Sequence, residues 1–535
     1  MEGFKPKGRI SMKKIGKEVL FLEAKGNIPR NGEGSFIRLN DGRIMFGYTE
    51  FVGNDWNDDA TANISVIYSS DEGETWTAPE ILFRKPEDAW NIMSFSFLRM
   101  GNGDIGTFYI VKNADRTDKI VLTRSSDEGK TWTEPINCLD CLSVADYYVI
   151  NNDRVVRLEN GRIILPTARH TVIDAPNDFM PGVICFFYSD DDGYTWQKSD
   201  TEFACPFPSN PDGYEEPGLY ERTDGTLWCY IRTSLGFQFQ SFSSDNGTTW
   251  TVPEPNLFFS SPCSPMHVRD CGDMTVAVFN PIPEHILREE SEPWGRTPYV
   301  IAVSTDRGLS FSKENVFYLE DDRTNGYCYP AIIECEDGFL VAYYHSNGTE
   351  VCLNSTKIIK ITYDELLCEM RKSLVTINQY AETYSDPPEK VRVAGRGIVV
   401  RDGKILLSHE LNTGVYMTPG GGLEDGETLE DCCRREVREE TGYEVEPLYQ
   451  FLRINEYSFE TMYVSNYFIC EVTGEGKQML TEIEVEHGIV PEWVSIEDAL
   501  AIFGTFDEKT PDVRSLYIRE FTAINKYLEI NRTTD

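Results

Sequence analysis

The octet SSDEGETW, residues Ser69–Trp76, recurs four more times along this 535-residue sequence. The other copies are SSDEGKTW from Ser125, SDDDGYTW from Ser189, SSDNGTTW from Ser243 and STDRGLSF from Ser304. Successive aspartates of the octets are separated by 56, 64, 54 and 61 residues, at Asp71, Asp127, Asp191, Asp245 and Asp306. A period of this size is typical of a radial or solenoid array of one supersecondary unit.

Each octet has the composition of a tight turn between strands. The Asp and Ser side chains hydrogen-bond to nearby backbone groups, the Gly reaches a positive φ, and the Trp packs between neighbouring units. Short β-rich runs such as NISVIY and VICFFY precede the octets, and Asn/Asp-Gly turns occur in LNDGRIMF and LENGRIILP. The pattern predicts four-stranded sheets in series, and therefore a β-propeller.

The octet resembles the Asp-box, or BNR repeat, of sialidases in glycoside hydrolase family 33. Five boxes and a final blade near GFLVAYYH, closed by the N-terminus, fit an all-β six-bladed β-propeller over residues 1–375. The boxes themselves do not indicate catalysis, because they are structural turns that stabilise the blades.

A sialidase substrate places distinct demands on its enzyme. Its anomeric carbon carries a carboxylate, which planar arginines hold bidentately. A carboxylate nucleophile would be repelled there, so sialidases use a Tyr phenol that a Glu activates. A separate Asp serves as acid and base for the leaving oxygen.

Three segments resemble sialidase active-site strands. EPGLYERTDGTLWCYIR matches the stretch in which a Glu activates the nucleophile and an Arg 16 residues later joins the carboxylate clamp, which implies these roles for Glu216 and Arg232. WGRTPYVIAVSTDRG places Arg296 where the family has its third clamp arginine. GYCYPAIIECEDGFLVAYYH resembles the nucleophile strand, and its Asp-Gly turn favours Tyr329 over Tyr327 as nucleophile.

The N-terminal blade departs from the family pattern. The family usually carries Arg-Ile-Pro, whereas this sequence reads Asn-Ile-Pro-Arg-Asn-Gly-Glu, so Arg30 is the predicted first clamp arginine. The loop DWNDDATA offers Asp58 as acid/base, with Asp59 as the alternative. We expect Arg154 in NNDR and His170 in TARH to be rim or supporting residues.

A second pattern lies near the C-terminal end. TINQYAETYSDPPEK, residues 376–390, is polar with two prolines and predicts a linker. In GGGLEDGETLEDCCRREVREETGY, residues 420–443, the spacing of Gly421, Glu427, Arg435-Glu436, Glu439-Glu440 and Gly442 resembles the Nudix box at every fixed position. Only Tyr443 departs, where the family prefers an aliphatic residue.

The charged part of the box predicts a helix from Glu427 that ends at the cap residue Gly442. Glu436, Glu439 and Glu440 occupy positions i, i+3 and i+4 and share one face, where their charges repel. Mg²⁺ or Mn²⁺ resolves this repulsion, because hard cations prefer oxygen ligands. We expect Arg435 to pair with Glu427, and the run at Gly420–Gly422 to let the backbone approach metal and phosphates.

The resemblance implies that residues 391–535 form an α/β/α Nudix sandwich that hydrolyses a nucleoside diphosphate linked to another moiety. Glu436 is then both ligand and catalytic residue, and Glu484 or Glu486 is a possible extra ligand or base. We expect Cys432 and Cys433 to pack the helix rather than bind metal.

The net charge of −38 argues against nucleic-acid binding through a basic surface and against docking on anionic lipid. The N-terminal residues lack the apolar run of a signal peptide, no stretch approaches the length of a membrane span, and 14 cysteines form no framework. These features favour a cytoplasmic protein. The single CxxC, Cys138–Cys141, is expected to be two thiols at a turn.

Three hypotheses follow for function. The first is a bifunctional hydrolase that acts on a small acidic saccharide and on a nucleoside diphosphate derivative, with no cofactor needed in the propeller. In the second, the propeller binds glycans without catalysis and only the Nudix domain is active. In the third, the propeller cleaves another acidic sugar. The sequence leaves the oligomeric state open.

Overall fold

The computed structural model describes residues 14–113, 118–143, 146–170, 181–281, 295–348, 353–371, 374–385, 387–424 and 426–531. The chain divides into two compact units, Met1–Leu366 and Leu367–Asp535. Within the described ranges, no helix is both long and apolar enough to cross a membrane.

The first unit is built from six antiparallel sheets. Its strands are β1 (Lys17–Leu22), β2 (Asn31–Arg38), β3 (Ile44–Phe51), β4 (Ala62–Ser69), β5 (Glu80–Phe83), β6 (Ala89–Arg99), β7 (Ile105–Asn113), β8 (Lys119–Ser125), β9 (Ile136–Asn137), β10 (Tyr147–Val149), β11 (Val156–Arg157), β12 (Ile163–His170), β13 (Val183–Ser189), β14 (Gln197–Ala204), β15 (Glu215–Glu221), β16 (Leu227–Arg232), β17 (Phe237–Ser243), β18 (Glu254–Ser260), β19 (His267–Cys271), β20 (Met274–Phe279), β21 (Tyr299–Ser304), β22 (Val316–Glu320), β23 (Tyr327–Cys335), β24 (Gly338–His345) and β25 (Ser355–Thr362). A 3₁₀ turn at Lys313–Asn315 precedes β22, and helix α1 (Tyr363–Arg371) follows β25.

The sheets are the six blades of a propeller. Blades 1 and 2 contain β2–β5 and β6–β9, blade 3 contains β10–β14, and blades 4 and 5 contain β15–β18 and β19–β22. Blade 6 contains β23–β25 and is completed by β1, which pairs antiparallel with β25. The predicted six-bladed architecture, with its last blade closed by the N-terminal strand, is confirmed.

The repeated octets form the same hydrogen-bonded turn, as the second copy illustrates. Ser125 Oγ donates to Asp127 Oδ1 at 2.8 Å and accepts from the Gly129 amide at 2.8 Å, while Asp127 Oδ1 accepts from the Thr131 amide at 2.8 Å. The Trp132 indole donates to the Gly129 carbonyl at 3.1 Å and packs in a cluster formed by blades 1 and 2. The octets therefore contribute to the packing between neighbouring blades.

The second unit is a mixed sheet with helices on both faces. Its elements are β26 (Val375–Tyr384), β27 (Lys390–Arg401), β28 (Lys404–Glu410), β29 (Val415–Met417), β30 (Gly420–Gly422), α2 (Leu429–Thr441), β31 (Tyr443–Phe459), β32 (Thr461–Glu475), α3 (Glu482–His487), β33 (Ile489–Ser495), α4 (Ile496–Phe503), a 3₁₀ turn (Phe506–Glu508) and α5 (Pro511–Asn531). The main sheet has the order β26-β31-β32-β27-β28-β29, with β30 paired to β27 and β33 paired to β28.

Alternation along β27 explains the layered core. Val399 packs with Cys433 and Val437 of α2, whereas the adjacent Ile398 packs with Phe503 of α4 and Tyr517 of α5. Successive strand residues point to opposite faces, so one strand serves two helical layers. This arrangement is the predicted α/β/α sandwich.

The structure differs from the prediction of a linker over residues 376–390. β26 occupies most of that segment and pairs in parallel with β31, from Val375 opposite Leu452 to Tyr380 opposite Tyr457. Among the side chains of this strand that the structure describes, Val375 and Ile377 pack against the core. An edge strand with so few apolar residues facing the core has the composition of a polar loop. The sequence pattern therefore did not predict this strand.

Candidate active sites

Six non-glycine residues with positive φ lie within or close to the first strands of the blades: Glu33, Ser94, Glu216 and Tyr329 lie within β2, β6, β15 and β23, Asp153 lies between β10 and β11, and Cys263 precedes β19. In blades 1, 2, 4 and 6 these residues coincide with register shifts in the innermost strand. A positive φ is strained for a residue with a side chain, and such strain is concentrated at functional sites. Four of the six residues line one cleft: Glu33, Ser94, Glu216 and Tyr329.

Tyr329 and Glu216 face each other across this cleft. The Tyr329 hydroxyl donates to Glu216 Oε1 at 2.6 Å. Burial and the charge of Glu216 raise the pKa of Tyr329 well above its ordinary value, so the phenol does not ionise unaided. Burial opposes ionisation of Glu216 too, but Arg232 and the Tyr329 hydrogen bond outweigh it and lower the pKa of Glu216. The pair therefore consists of a neutral phenol and an ionised carboxylate that can accept its proton.

Tyr327, the alternative nucleophile, lies elsewhere. Its ring packs against His345 at 5.2 Å and Tyr299 at 6.0 Å, and its hydroxyl donates to the Asp322 carbonyl at 3.4 Å. Tyr327 does not line the cleft.

Two predicted clamp arginines flank the pair. Arg232 Nη1 lies 2.7 Å from Glu216 Oε2, and Arg232 Nε donates to Cys263 Sγ at 3.3 Å. The Arg296 guanidinium lies 5.6 Å from the centre of the Tyr329 ring and donates to the Cys263 carbonyl at 3.3 Å. Both cations pull the pKa of Tyr329 downward, against the larger effects of burial and Glu216. The structure thus brings Arg232, Arg296, Glu216 and Tyr329 together.

Arg30 reaches the same region from blade 1. Its side chain is 1% exposed; it donates to Glu33 Oε1, to Tyr344 Oη at 2.9 Å and to Asp58 Oδ1 at 2.6 Å. Asp58 is 61% exposed and lines the cleft, whereas Asp59 pairs with Lys112 Nζ at 3.0 Å. Of the two aspartates, Asp58 is the one whose carboxylate faces the cleft and the clamp.

The remaining polar residues predicted for the propeller separate into two groups. His170 is half-buried, with Nε2 4.0 Å from Glu215 Oε1, as expected of a rim residue. Arg154 is not at the rim: it is 1% exposed and donates to the Met266 carbonyl at 2.5 Å. Its neighbour Asp153 has a positive φ, which turns this segment inward instead of along the strand face.

Sequence reasoning missed two charged groups near the site: Lys112, which lines the cleft, and Glu215, which contacts the predicted clamp residue Arg232. Glu215 Oε2 lies 3.5 Å from Arg232 Nη2, and burial, opposed by Arg232, raises the pKa of Glu215 to about 7. Lys112 is 3% exposed and lines the cleft. Neither residue belongs to a recognisable motif. For Glu215 the sequence offered one indication, because it directly precedes Glu216 in YEEPG.

In the second unit, Gly421 and Glu436 pack in direct contact. A Cβ added to Gly421 would lie 2.4 Å from Glu436 Oε2, so any other residue here would push this carboxylate aside. Arg435 makes the predicted pair with Glu427, at 2.9 and 3.0 Å, which joins the loop to α2. It also donates to Glu436 Oε1 at 2.8 Å and Glu439 Oε2 at 3.2 Å, contacts that the sequence analysis did not anticipate.

Glu440 is held separately from its two neighbours. It is 4% exposed, and its Oε2 accepts from Ser408 Oγ at 2.6 Å and from the Gly420 amide at 3.3 Å. Burial, with a smaller contribution from Glu436, raises the pKa of Glu440 to about 8. Burial, together with Glu439 and Glu484, also raises the pKa of Glu436, against Arg435.

The donor set fits a hard divalent cation. Among the described residues, no three His, Cys, Asp or Glu side chains converge as a ready metal cluster, because Arg435 engages Glu436 and Glu439 while Ser408 engages Glu440. Burial nevertheless raises the pKa of both Glu436 and Glu440, and their oxygens lie beside the backbone of Gly421 and Gly420, respectively. All-oxygen donors of this kind suit Mg²⁺ or Mn²⁺.

The other residues considered in this unit have structural contacts. Glu484 Oε2 accepts from the Thr481 amide at 2.7 Å and so caps α3, and Glu486 accepts from Asn412 through its backbone carbonyl at 2.6 Å. Cys432 and Cys433 are buried on the inner side of α2. In the first unit, Cys138 and Cys141 lie on one turn, as expected.

Two family models match the chain. One, described as a BNR repeat-like domain, matches residues 56–342, and one described as a NUDIX domain matches residues 391–514. The two matches fall in the propeller and in the sandwich, respectively.

Curated relatives match each part. A sialidase from Bacteroides fragilis (strain YCH46) is 25% identical over 251 residues, 46% of this chain and 42% of the relative. An ADP-ribose pyrophosphatase from Methanocaldococcus jannaschii is 47% identical over 53 residues, 9% of this chain and 31% of the relative. This chain therefore spans about half the length, or less, of these relatives.

The fold of the first unit also occurs among solved structures. A mutant of Trypanosoma rangeli sialidase displaying trans-sialidase activity is similar with a TM-score of 0.51 at 14% identity. The similarity covers 67% of this chain and 61% of that chain. At this identity the likeness establishes the fold alone.

Proposed function

We propose that this chain, which belongs to the BNR repeat-like family and carries a C-terminal NUDIX domain, is a hydrolase with two separate active sites. The propeller releases sialic acid or a related nonulosonic acid, and the NUDIX domain cleaves a nucleoside diphosphate derivative. The observation that carries the first activity is the 2.6 Å hydrogen bond from Tyr329 to Glu216, flanked by Arg232 and Arg296.

In the proposed first step, the three arginines bind the substrate carboxylate. Tyr329 Oη attacks the anomeric carbon while Glu216 accepts the phenol proton. The bond from the anomeric carbon to the glycosidic oxygen breaks, and Asp58 donates a proton to that oxygen. Arg30 donates to Asp58 at 2.6 Å in the structure. A substrate carboxylate that binds Arg30 would compete with this contact, and Asp58 would then be available to protonate the leaving oxygen.

The second step releases the sugar. Asp58, now ionised, takes a proton from water as the water oxygen attacks the anomeric carbon. The bond to Tyr329 Oη breaks, and the phenolate regains its proton from Glu216. Arg232 and Arg296 stabilise the phenolate as it leaves, because Arg296 lies beside its ring and Arg232, which contacts Glu216, also lowers the pKa of this tyrosine.

We propose that Glu436, Glu439 and Glu440 hold Mg²⁺ or Mn²⁺ in the NUDIX domain. When bound, the cation supplies Lewis-acid activation of phosphates and water. Arg435 keeps Glu436 and Glu439 aligned on α2 and ties the helix to the loop through Glu427. The name of the ADP-ribose pyrophosphatase relative supports a nucleoside diphosphate joined to a sugar as the substrate class.

The propeller activity is tested by sialic acid release from sialyllactose in EDTA, which silences the NUDIX site. We expect Tyr329→Phe to reduce kcat by about 10³-fold or more, because the nucleophile is lost. Tyr327→Phe is the matched control, since that buried tyrosine faces the Asp322 carbonyl instead of the cleft. Saturable glycan binding without release by the wild type would favour the non-catalytic propeller, and cleavage of a different acidic sugar would favour the third hypothesis.

The NUDIX activity is tested with ADP-ribose and Mg²⁺. Glu436→Gln removes a proposed ligand and catalytic group, and we expect a loss of about 100-fold or more. Glu446→Gln is the control, because this exposed carboxylate pairs with Arg434 on the outer side of α2. Equal rates for wild type and Glu436→Gln would overturn the assignment of this residue.

A further inference from the structure

The loop that carries Asp58 connects β3 to β4 in blade 1, yet blade 2 holds it in place. Asn91 Nδ2, on β6, donates to the Asp58 carbonyl at 2.7 Å and to the Ala60 carbonyl at 2.8 Å. Lys112 Nζ, near the end of β7, donates to the same Asp58 carbonyl at 3.1 Å. Two side chains from a neighbouring blade therefore converge on one backbone oxygen, that of the proposed acid/base residue.

Lys112 also makes an ion pair within the loop. Its Nζ lies 3.0 Å from Asp59 Oδ1, and its side chain is 4% exposed against 38% for that of Asp59. A buried ammonium is costly unless it is paired and hydrogen-bonded. Burial alone would lower the pKa of Lys112, but Tyr147, Asp58 and Asp59 raise it above its ordinary value, so the lysine stays charged.

The Asn91 side chain has no other evident role than to hold this loop. It is fully buried, and both donors of its amide point to the loop. Neither Asn91 nor Lys112 belongs to the arginine clamp or to the Tyr329–Glu216 pair. Their shared target is the segment 58–60, whose only proposed chemical role is proton transfer to the leaving oxygen.

We propose that Lys112 and Asn91 are positioning residues that fix the Asp58 loop for proton transfer to the leaving group. This inference rests on the proposed sialidase activity. It assigns Asp59 a structural role as the counter-ion of Lys112, which distinguishes it from Asp58. Loss of Lys112 displaces the general acid and leaves the clamp and the nucleophile in place.

This role has a signature that a purely structural role lacks. A good leaving group such as 4-nitrophenolate departs without protonation, whereas the sugar alkoxide of sialyllactose requires it. We expect Lys112→Met to lower kcat for sialyllactose by about 10–100-fold and kcat for the 4-nitrophenyl glycoside of sialic acid by less than about threefold. KM for both substrates stays near the wild-type value, because the clamp is untouched.

Three further variants complete the experiment on the full chain. Asp58→Asn is the reference variant, because it removes the proposed acid/base group itself. We expect its kcat for sialyllactose to fall more than its kcat for the 4-nitrophenyl glycoside, with a larger difference between the two substrates than in Lys112→Met. Lys112→Arg keeps the charge and restores part of the sialyllactose rate. Lys360→Met is the matched control, because Lys360 is equally buried, with a side chain 5% exposed, and pairs with Glu74 and Asp337 away from the cleft.

Each outcome bears on the proposal. Equal loss on both substrates for Lys112→Met, or equal effects of Lys112→Met and Lys360→Met, would overturn it. If Lys112→Met does not fold, Asp59→Asn replaces it, because this variant removes the negative charge that pairs with Lys112. We expect the same difference in kcat between the two substrates, but a smaller one. No release from either substrate by the wild type would instead overturn the proposed function itself, and this inference with it.

Discussion

Glu215 and Glu216 are consecutive residues on β15, and both contact Arg232. In a regular strand neighbouring side chains point to opposite faces. The φ of +44° at Glu216 and the register shift between Glu215 and Gly218 break this alternation. Arg232 therefore lies 2.7 Å from Glu216 and 3.5 Å from Glu215, and two acids compete with the substrate carboxylate for one guanidinium.

The ionisation of Glu215 predicts a pH dependence of substrate binding. Burial, opposed by Arg232, raises the pKa of Glu215 to about 7, so this carboxyl is neutral at pH 5 and ionised at pH 8. As pH rises through about 7, a second negative charge develops beside Arg232 and repels an anionic substrate. We expect KM for sialyllactose to rise about 3–10-fold between pH 6 and pH 8, with a smaller change in kcat.

Glu215→Gln checks this prediction, because the amide keeps the shape of the side chain and cannot ionise. The variant is expected to show a flat KM between pH 6 and pH 8, near the wild-type value at pH 6. A rise of KM in the variant that parallels the wild type would place the titrating group elsewhere.

At the scale of elements, α2 begins and ends at well-defined caps. Thr428 Oγ1 accepts from the Asp431 amide at 3.1 Å, and Gly442, with a φ of +75°, donates through its amide to the Arg438 carbonyl at 2.8 Å. The helix buries Cys433 and Val437 against β27, and it carries the proposed metal ligands Glu436, Glu439 and Glu440, of which Glu440 is also buried, beside Ser408 and Gly420. Its stability therefore sets the position of the three proposed metal-binding carboxylates.

Removing the N-terminal cap should weaken this unit measurably. Replacement of a Thr cap by Ala costs about 1 kcal/mol, which corresponds to a fall of about 2–4 °C in the Tm of a domain of this size. We expect Thr428→Ala to lower the midpoint for thermal loss of NUDIX activity by that amount. Thr428→Ser retains the accepting oxygen and should match the wild type, so equal losses in both variants would argue against capping as the cause.

The sequence predicted those features that local pattern encodes. The Asp-box turns, the Nudix spacing and the capping Gly442 each rest on residues at fixed separations, whereas the pair of Glu216 with Tyr329 was implied by the resemblance of two separate segments to sialidase strands. Lys112 and Asn91 lacked any such signal, because they act across a blade boundary on a backbone carbonyl. β26 was missed for a related reason: its partner β31 lies about 75 residues away, and only tertiary pairing reveals it.

At the scale of the whole molecule, the two units have separate hydrophobic cores. Among the described residues, the propeller clusters, such as that containing Trp196, include residues of the first unit alone, and the sandwich clusters include residues of the second unit alone. The two proposed sites likewise draw on residues of one unit each. A chain built in this way can lose one activity while the other remains intact.

Heating a core variant tests this independence. Trp196 is 7% exposed, packs edge-on against Phe108 at 6.1 Å and donates its indole N–H to the Gly193 carbonyl at 3.1 Å. Trp196→Ala should destabilise the propeller by about 3–5 kcal/mol and lower the midpoint for thermal loss of sialidase activity by about 4–6 °C. The midpoint for loss of NUDIX activity should stay within about 1 °C of the wild type, because its core contains none of these residues. Parallel inactivation of both activities in this variant would mean that the two units unfold as one cooperative structure.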